Sequence, residues 1–206
     1  MTKPGQIVIL NGAPRGGKSS IAAQIQDSFD GVWLNLGVDA WAAVTPARLR
    51  PGIGLRPGGE RPDLEPDIMQ LYAGLYEAVA ANCRWGLNVV VDVGHHDAYS
   101  RPLGLLPDCA RRLAGLPVLF VGVRCPIEQI MRRRNADATG RYVGGAPNHP
   151  PAPVLLWQRE VHRPGVYDLE VDTGQFSPAE CAAIIADRLS ASPVSPTAFE
   201  RLASFA

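Results

Sequence analysis

Short apolar runs alternate along the chain with stretches of helical composition. IVIL at 7–10, GVWLNLGVD at 31–39, LNVVVDVG at 87–94, LPVLFVGVRC at 116–125 and YDLEVDT at 167–173 read as strands. The first, third and fourth are nearly continuous in Val, Ile, Leu and Phe, the pattern of parallel strands buried on both faces. Between the runs, residues 18–28, 66–84, 101–114, 126–136 and 177–191 read as helices. The last of these opens Ser177-Pro178-Ala179-Glu180, a capping-box start with proline at the first helical position. The alternation predicts an α/β fold, a parallel sheet with helices on both faces. Ligands of such sheets bind beyond the carboxyl ends of the strands. The turn after IVIL, Asp39, Asp92 and Arg124 all fall at such ends.

Two stretches break the pattern. Residues 46–66, PARLRPGIGLRPGGERPDLEP, read as an ordered surface loop, and residues 137–153, DATGRYVGGAPNHPPAP, as a mobile lid. The expected domain spans 1–192, and 193–206 read as a Pro-broken linker and a short tail helix. No internal repeat is visible.

The first turn carries the strongest chemical signal. Gly12-Ala13-Pro14-Arg15-Gly16-Gly17-Lys18-Ser19 fits the phosphate-loop pattern GxxxxGK[ST] at every fixed position. Glycines let backbone N–H groups wrap phosphates, Lys18 reaches the outer phosphates, and the Ser19 hydroxyl suits a magnesium ion. Ser20 follows directly, in a segment, SSIAAQIQ, of helical composition. The phosphates would then lie at a helix N-terminus, which favours anions. This predicts a nucleoside triphosphate site, with ATP and Mg2+ as cofactors and Ser19 and Asp92 as metal-holding candidates.

Phosphoryl transfer needs aligned reactants, balanced phosphate charge and a group to take the acceptor's proton. Asp39, in GVDAW, can face the terminal phosphate and accept that proton. It could equally cap the helix that AWAAV begins. Asp92 is expected either to hold magnesium or to orient the acceptor. In GHHD, one of His95 and His96 is expected on the substrate and the other in a structural role; no third ligand has metal spacing. Trp41 could wall an acceptor pocket, whereas Trp85, Trp157, Phe120 and Tyr167 read as core. Arg132, Arg133 and Arg134 fan around a helix, so at most one or two can face the nucleotide. Arg124 could be a buried structural arginine.

Composition narrows the partner. The 20 basic residues balance the 20 acidic ones, which leaves no footprint for nucleic acid or an anionic membrane. A small-molecule hydroxyl acceptor is the expected partner, with association into a homo-oligomer left open. No run is long enough to span a bilayer, and the N-terminus lacks a signal-peptide layout. Four scattered cysteines without a CxxC pair read as reduced, mostly buried thiols of a cytoplasmic protein.

Together, ILNGAPRGGKSSI, WLNLGVDAWAAVTP, VVVDVGHHD, VLFVGVRCPIEQIMRRR and VHRPGVYDLEVDT resemble the chloramphenicol phosphotransferase family, in order and over most of residues 6–190. The resemblance implies a kinase-like P-loop fold and ATP-dependent O-phosphotransfer. It implies Asp39 as the base, residues 12–19 as the nucleotide loop, and Arg133 and Arg141 as lid arginines. It also implies chloramphenicol or a related antibiotic as acceptor, with resistance by modification. Residues 46–66 and GHHD depart from the family pattern and read as acceptor-side loops. A sugar, polyol or other metabolite is the rival acceptor, and a nucleotide-dependent switch is the rival class. An apolar pocket with Trp41 would argue for an antibiotic; arginines from residues 46–61 in the pocket would argue for an anionic metabolite.

Overall fold

The computed structural model describes residues 3–138, 144–145, 149–192 and 194–205. Among these residues, five strands form one sheet: β1 (Ile7–Asn11), β2 (Trp33–Asn35), β3 (Asn88–Val93), β4 (Val118–Arg124) and β5 (Leu169–Asp172). Their order is β2-β3-β1-β4-β5, and every neighbouring pair is parallel. Among the described residues, eight α-helices accompany them: α1 (Lys18–Ser28), α2 (Val38–Val44), α3 (Glu65–Arg84), α4 (Leu105–Arg112), α5 (Ile127–Asn135), α6 (Ala152–Glu160), α7 (Pro178–Ser190) and α8 (Ala198–Ala203).

The central strand explains the layering. All five residues of β1 are buried. Its alternate side chains leave on opposite faces. Ile7 and Ile9 join a core with Tyr72, Leu75 and Tyr76 of α3, Cys109 of α4, and Phe199 and Leu202 of α8. Val8 and Leu10 join the other, with Ile21 and Ile25 of α1 and Cys181 and Ile185 of α7. A continuous apolar strand is therefore required, because each face has its own helix layer. A third cluster beyond the strand tips packs Ala13 and Cys125 with Ile130 and Met131 of α5 and Val154 of α6. The four cysteines are free and buried. No helix among the described residues is long and apolar enough to cross a membrane.

Three boundaries differ from the sequence expectation. β2 stops at Asn35, whose side-chain carbonyl accepts from Gly37 N at 3.1 Å and turns the chain into α2. α4 starts at 105, because Asp97 Oδ1 accepts from Leu103 N and Gly104 N at 2.7 and 3.1 Å and holds the preceding residues as a loop. α6 lies where the lid was expected to end; its Pro153 is in the first turn, where a missing N–H costs nothing. The tail helix α8 is packed in: Phe199 meets the Phe120 ring edge-on at 5.0 Å.

Candidate active site

Beyond the carboxyl ends of β1 and β3 lies a cavity of about 310 Å³. The phosphate loop forms one wall. Gly12, Ala13, Pro14, Arg15, Lys18 and Ser19 line it, and Gly16, Gly17 and Ser20 complete the turn into α1. Gly17 stands at φ 95°, a left-handed conformation that glycine adopts without cost. α1 has no acidic residue in its first turn, so its N-terminus stays attractive to anions. Arg15 holds φ 67° and pairs with Asp137 just beyond α5.

Lys18 Nζ donates to the loop's own carbonyls, Gly12 O at 2.8 Å and Ala13 O at 3.0 Å. Burial disfavours its ammonium and lowers its pKa to about 8, against the opposing pull of Asp92 and Asp39. The unfolded chain therefore holds this proton more tightly. The cost of burying the charge is present in full below about pH 8 and fades as pH rises toward the ordinary value of 10.5. A polyphosphate needs the ammonium form. Nucleotide affinity is expected to fall above pH 8, approaching roughly tenfold per pH unit. Calorimetric titration with a non-hydrolysable ATP analogue across that range checks this, and Lys18→Met should flatten the profile.

Two carboxylates face the same space. Asp92, near the end of β3, is 7% exposed and accepts from Ser19 Oγ at 2.7 Å. It packs so closely on Gly37 that a β-carbon there would overlap its Oδ1. A hard cation bound through one carboxylate, one hydroxyl and phosphate oxygens suits this pair. Ser19 and Asp92 would hold magnesium, which supplies neutralisation of the phosphate charge. Asp39 also lines the cavity. Its place is the first turn of α2, whose cap position is Gly37, with no side-chain cap bond. It is exposed and makes no hydrogen bond or salt bridge among the described residues. The capping alternative is therefore not realised.

Several other expectations need correction. Trp41 does not line the cavity; it packs on the α3 core, and a β-carbon on Gly74 would lie 3.3 Å from its ring. His95 is 1% exposed, stacks on Tyr72 at 4.7 Å and bonds the Tyr76 hydroxyl at 2.7 Å. Burial lowers its pKa to about 3, so it is a neutral core residue. His96 is buried too; its Nε2 donates to Leu55 O at 2.9 Å, and burial lowers its pKa as well. Neither histidine reaches the cavity.

Arg133 lies beneath the loop. It donates to Arg15 O at 3.1 Å, Thr173 Oγ1 at 3.1 Å and Thr173 O at 3.0 Å, while Thr173 Oγ1 donates to Gly16 O at 2.7 Å. It braces the loop and β5. Arg133→Met should lower stability by on the order of 2–3 kcal/mol, since charged hydrogen bonds are lost, and weaken nucleotide binding with it. Thermal unfolding with and without nucleotide checks both. Arg124 pairs with Glu170 at 2.6 Å and is half-exposed, away from the cavity. Arg141, and the lid residues 139–143 and 146–148, lie outside the described residues.

Other residues stand where these were expected. Arg134, 8% exposed, lines the cavity in place of Arg133. Trp157 of α6, expected in the core, lines it too. So do Val38 of α2 and Ile53 and Arg56 of the 46–66 segment. The signal for Arg134 was present: Ile127, Ile130, Met131 and Arg134 recur at helical spacing on one face of α5.

The model of the chloramphenicol phosphotransferase-like family matches residues 5–190. The chain belongs to this family. A Mycobacterium tuberculosis relative named "Putative O-phosphotransferase" is 30% identical over 96% of this chain and 88% of its own. Among solved structures, the M. tuberculosis APS kinase bound to AMPPNP and APS superposes with a TM-score of 0.65 at 18% identity, covering 92% of this chain and all of that one. Shikimate kinase from Acinetobacter baumannii, bound to shikimate, gives 0.56 at 12% identity, over 90% and 93% of the two chains. At such identities these two establish the fold, that of P-loop kinases. This chloramphenicol phosphotransferase-like protein is a small-molecule kinase, with a nucleotide-binding loop at the tip of β1.

Proposed function

We propose that the protein transfers the γ-phosphoryl group of ATP to a hydroxyl of a small molecule, with magnesium on Ser19 and Asp92 and with Asp39 as the base. The observation that carries this reading is Asp39 itself: a carboxylate without a hydrogen bond or salt bridge among the described residues, lining the same cavity as Lys18 and Ser19. A switch protein has no use for such a group. In transfer, the acceptor oxygen bonds the γ-phosphorus, the bridging β–γ bond breaks, ADP leaves, and the acceptor's proton passes to Asp39. Lys18 holds the outer phosphates, and the N-terminus of α1 receives their charge.

The family's description suggests chloramphenicol or a related antibiotic as acceptor, and the apolar lining of Val38, Ile53, Val154 and Trp157 supports such a body. Phosphorylation of its hydroxyl would give resistance by modification. A second reading is favoured by one specific observation: an arginine from the segment 46–61, Arg56, lines the cavity, and Trp41 does not. The arginine points toward an acceptor with negative charge. Incubation with ATP, magnesium and a panel of antibiotics, polyols and hydroxy acids, read by mass gain of one phosphoryl group, tests the transfer itself. Hydrolysis of ATP with no acceptor phosphorylated would overturn it.

A further inference from the structure

Arg56 differs from the other cations of the cavity. Lys18 and Arg15 belong to the phosphate loop, and Arg134 to α5. Arg56 belongs to the wall that also carries Val38 and Asp39, the side on which a proton acceptor meets its alcohol. Its guanidinium makes no hydrogen bond or ion pair among the described residues, and the residue is exposed while lining the cavity.

The backbone that carries it is fixed on both sides. Ile53 O accepts from the buried Tyr72 hydroxyl at 3.1 Å. Leu55 is 4% exposed, and its carbonyl accepts from His96 Nε2 at 2.9 Å. Leu55 N donates to Gly52 O at 3.0 Å, and Gly58 N donates to Ala98 O at 2.7 Å. Proline at 57 fixes the next φ. A charged side chain on a pinned backbone, itself unpaired, is the construction expected of a group awaiting a ligand: the backbone's ordering cost is already met, and one planar cation is offered. His96 gains a role here. It is a strut for the acceptor wall, because a neutral imidazole keeps donating to Leu55 O.

We propose that the acceptor is a hydroxylated organic acid, its carboxylate on Arg56, its apolar body against Val38, Ile53 and Trp157, and its hydroxyl toward Asp39. This rests on the phosphotransfer reading above and names its substrate class. A guanidinium matches a carboxylate bidentately, and a neutral isostere forfeits that match.

The test uses hydroxy acids paired with their own primary amides, para-hydroxymethylbenzoate with its benzamide and mandelate with mandelamide, together with chloramphenicol. Phosphoryl transfer from ATP is read by mass and by ADP release. The acids should be preferred over the amides in kcat/KM by about 10- to 100-fold, the size of a lost charged hydrogen bond. Arg56→Gln should collapse that ratio toward one, chiefly through the acid's KM, and Arg56→Lys should restore part of it. Amides or chloramphenicol used as well as the acids would overturn the acidic acceptor and leave the kinase reading standing. So would a ratio that survives Arg56→Gln, or a loss confined to the KM for ATP, which would move Arg56 to the nucleotide. Absence of transfer to every compound, with analogue binding intact, would count against phosphotransfer itself.

Discussion

Lys18→Ala is expected to lower phosphotransfer by roughly 10³-fold or more while leaving the fold intact, because a preorganised charge on the transferring group is removed. The structure separates the two effects. Lys18 is a partly buried ammonium bonded to the carbonyls of Gly12 and Ala13, and desolvation lowers its pKa to about 8. Losing those bonds costs some stability; losing a buried charge returns some. The melting temperature should therefore change little, while transfer and nucleotide affinity both fall. Calorimetry with the ATP analogue, transfer assays and thermal unfolding on one preparation check this. Near-normal turnover in a folded Lys18→Ala protein would remove the loop from the mechanism.

Asp39→Asn should separate binding from turnover, which Lys18→Ala lowers together. Asparagine keeps the size of the side chain and cannot take a proton. Nucleotide affinity should stay near wild type, since Lys18, Ser19 and the N-terminus of α1 are untouched. Transfer should fall by roughly 10²–10⁴-fold, the usual range for loss of a general base. Stability should drop by no more than about 1 kcal/mol, the value of one acidic group in a first helical turn. Asp39 is not the cap of α2, so no capping loss adds to this. A variant that transfers at the wild-type rate would hand the base role to Asp92, whose pairing with Ser19 suits it less.

What could be read from the sequence was whatever local chemistry encodes. The strands at 7, 88 and 118 begin within two residues of expectation, since burial on both faces demands unbroken apolar runs. The phosphate loop is legible because its function is carried by consecutive residues. Asp92, near the end of an apolar strand, and Asp39, just past the end of β2, are legible as cavity residues because the carboxyl ends of parallel strands open on the ligand cleft. Illegible features depend on distant partners. His95 is held in the core by stacking on Tyr72 and by its bond to the Tyr76 hydroxyl, from α3 some twenty residues back in the chain, and burial keeps it neutral. Trp157 is hidden by the prolines before α6, and Trp41 by its docking on Gly74. Arg133 and Arg134 differ by one helical step, about 100°, and only the apolar stripe of α5 tells which is which.

Gly37 and Asp92 occupy the same small volume: the carboxylate fills the space where a side chain at 37 would begin. Across homologous sequences these two positions cannot drift independently. Any residue larger than glycine at 37 must be accompanied by a shorter one at 92 or by a shift of the β2–α2 turn, and the helix that follows this turn carries Asp39. A side chain at 37 that displaced this turn would carry Asp39 to a new place relative to Asp92, so the spacing of the two carboxylates across the cavity is set in part by a glycine.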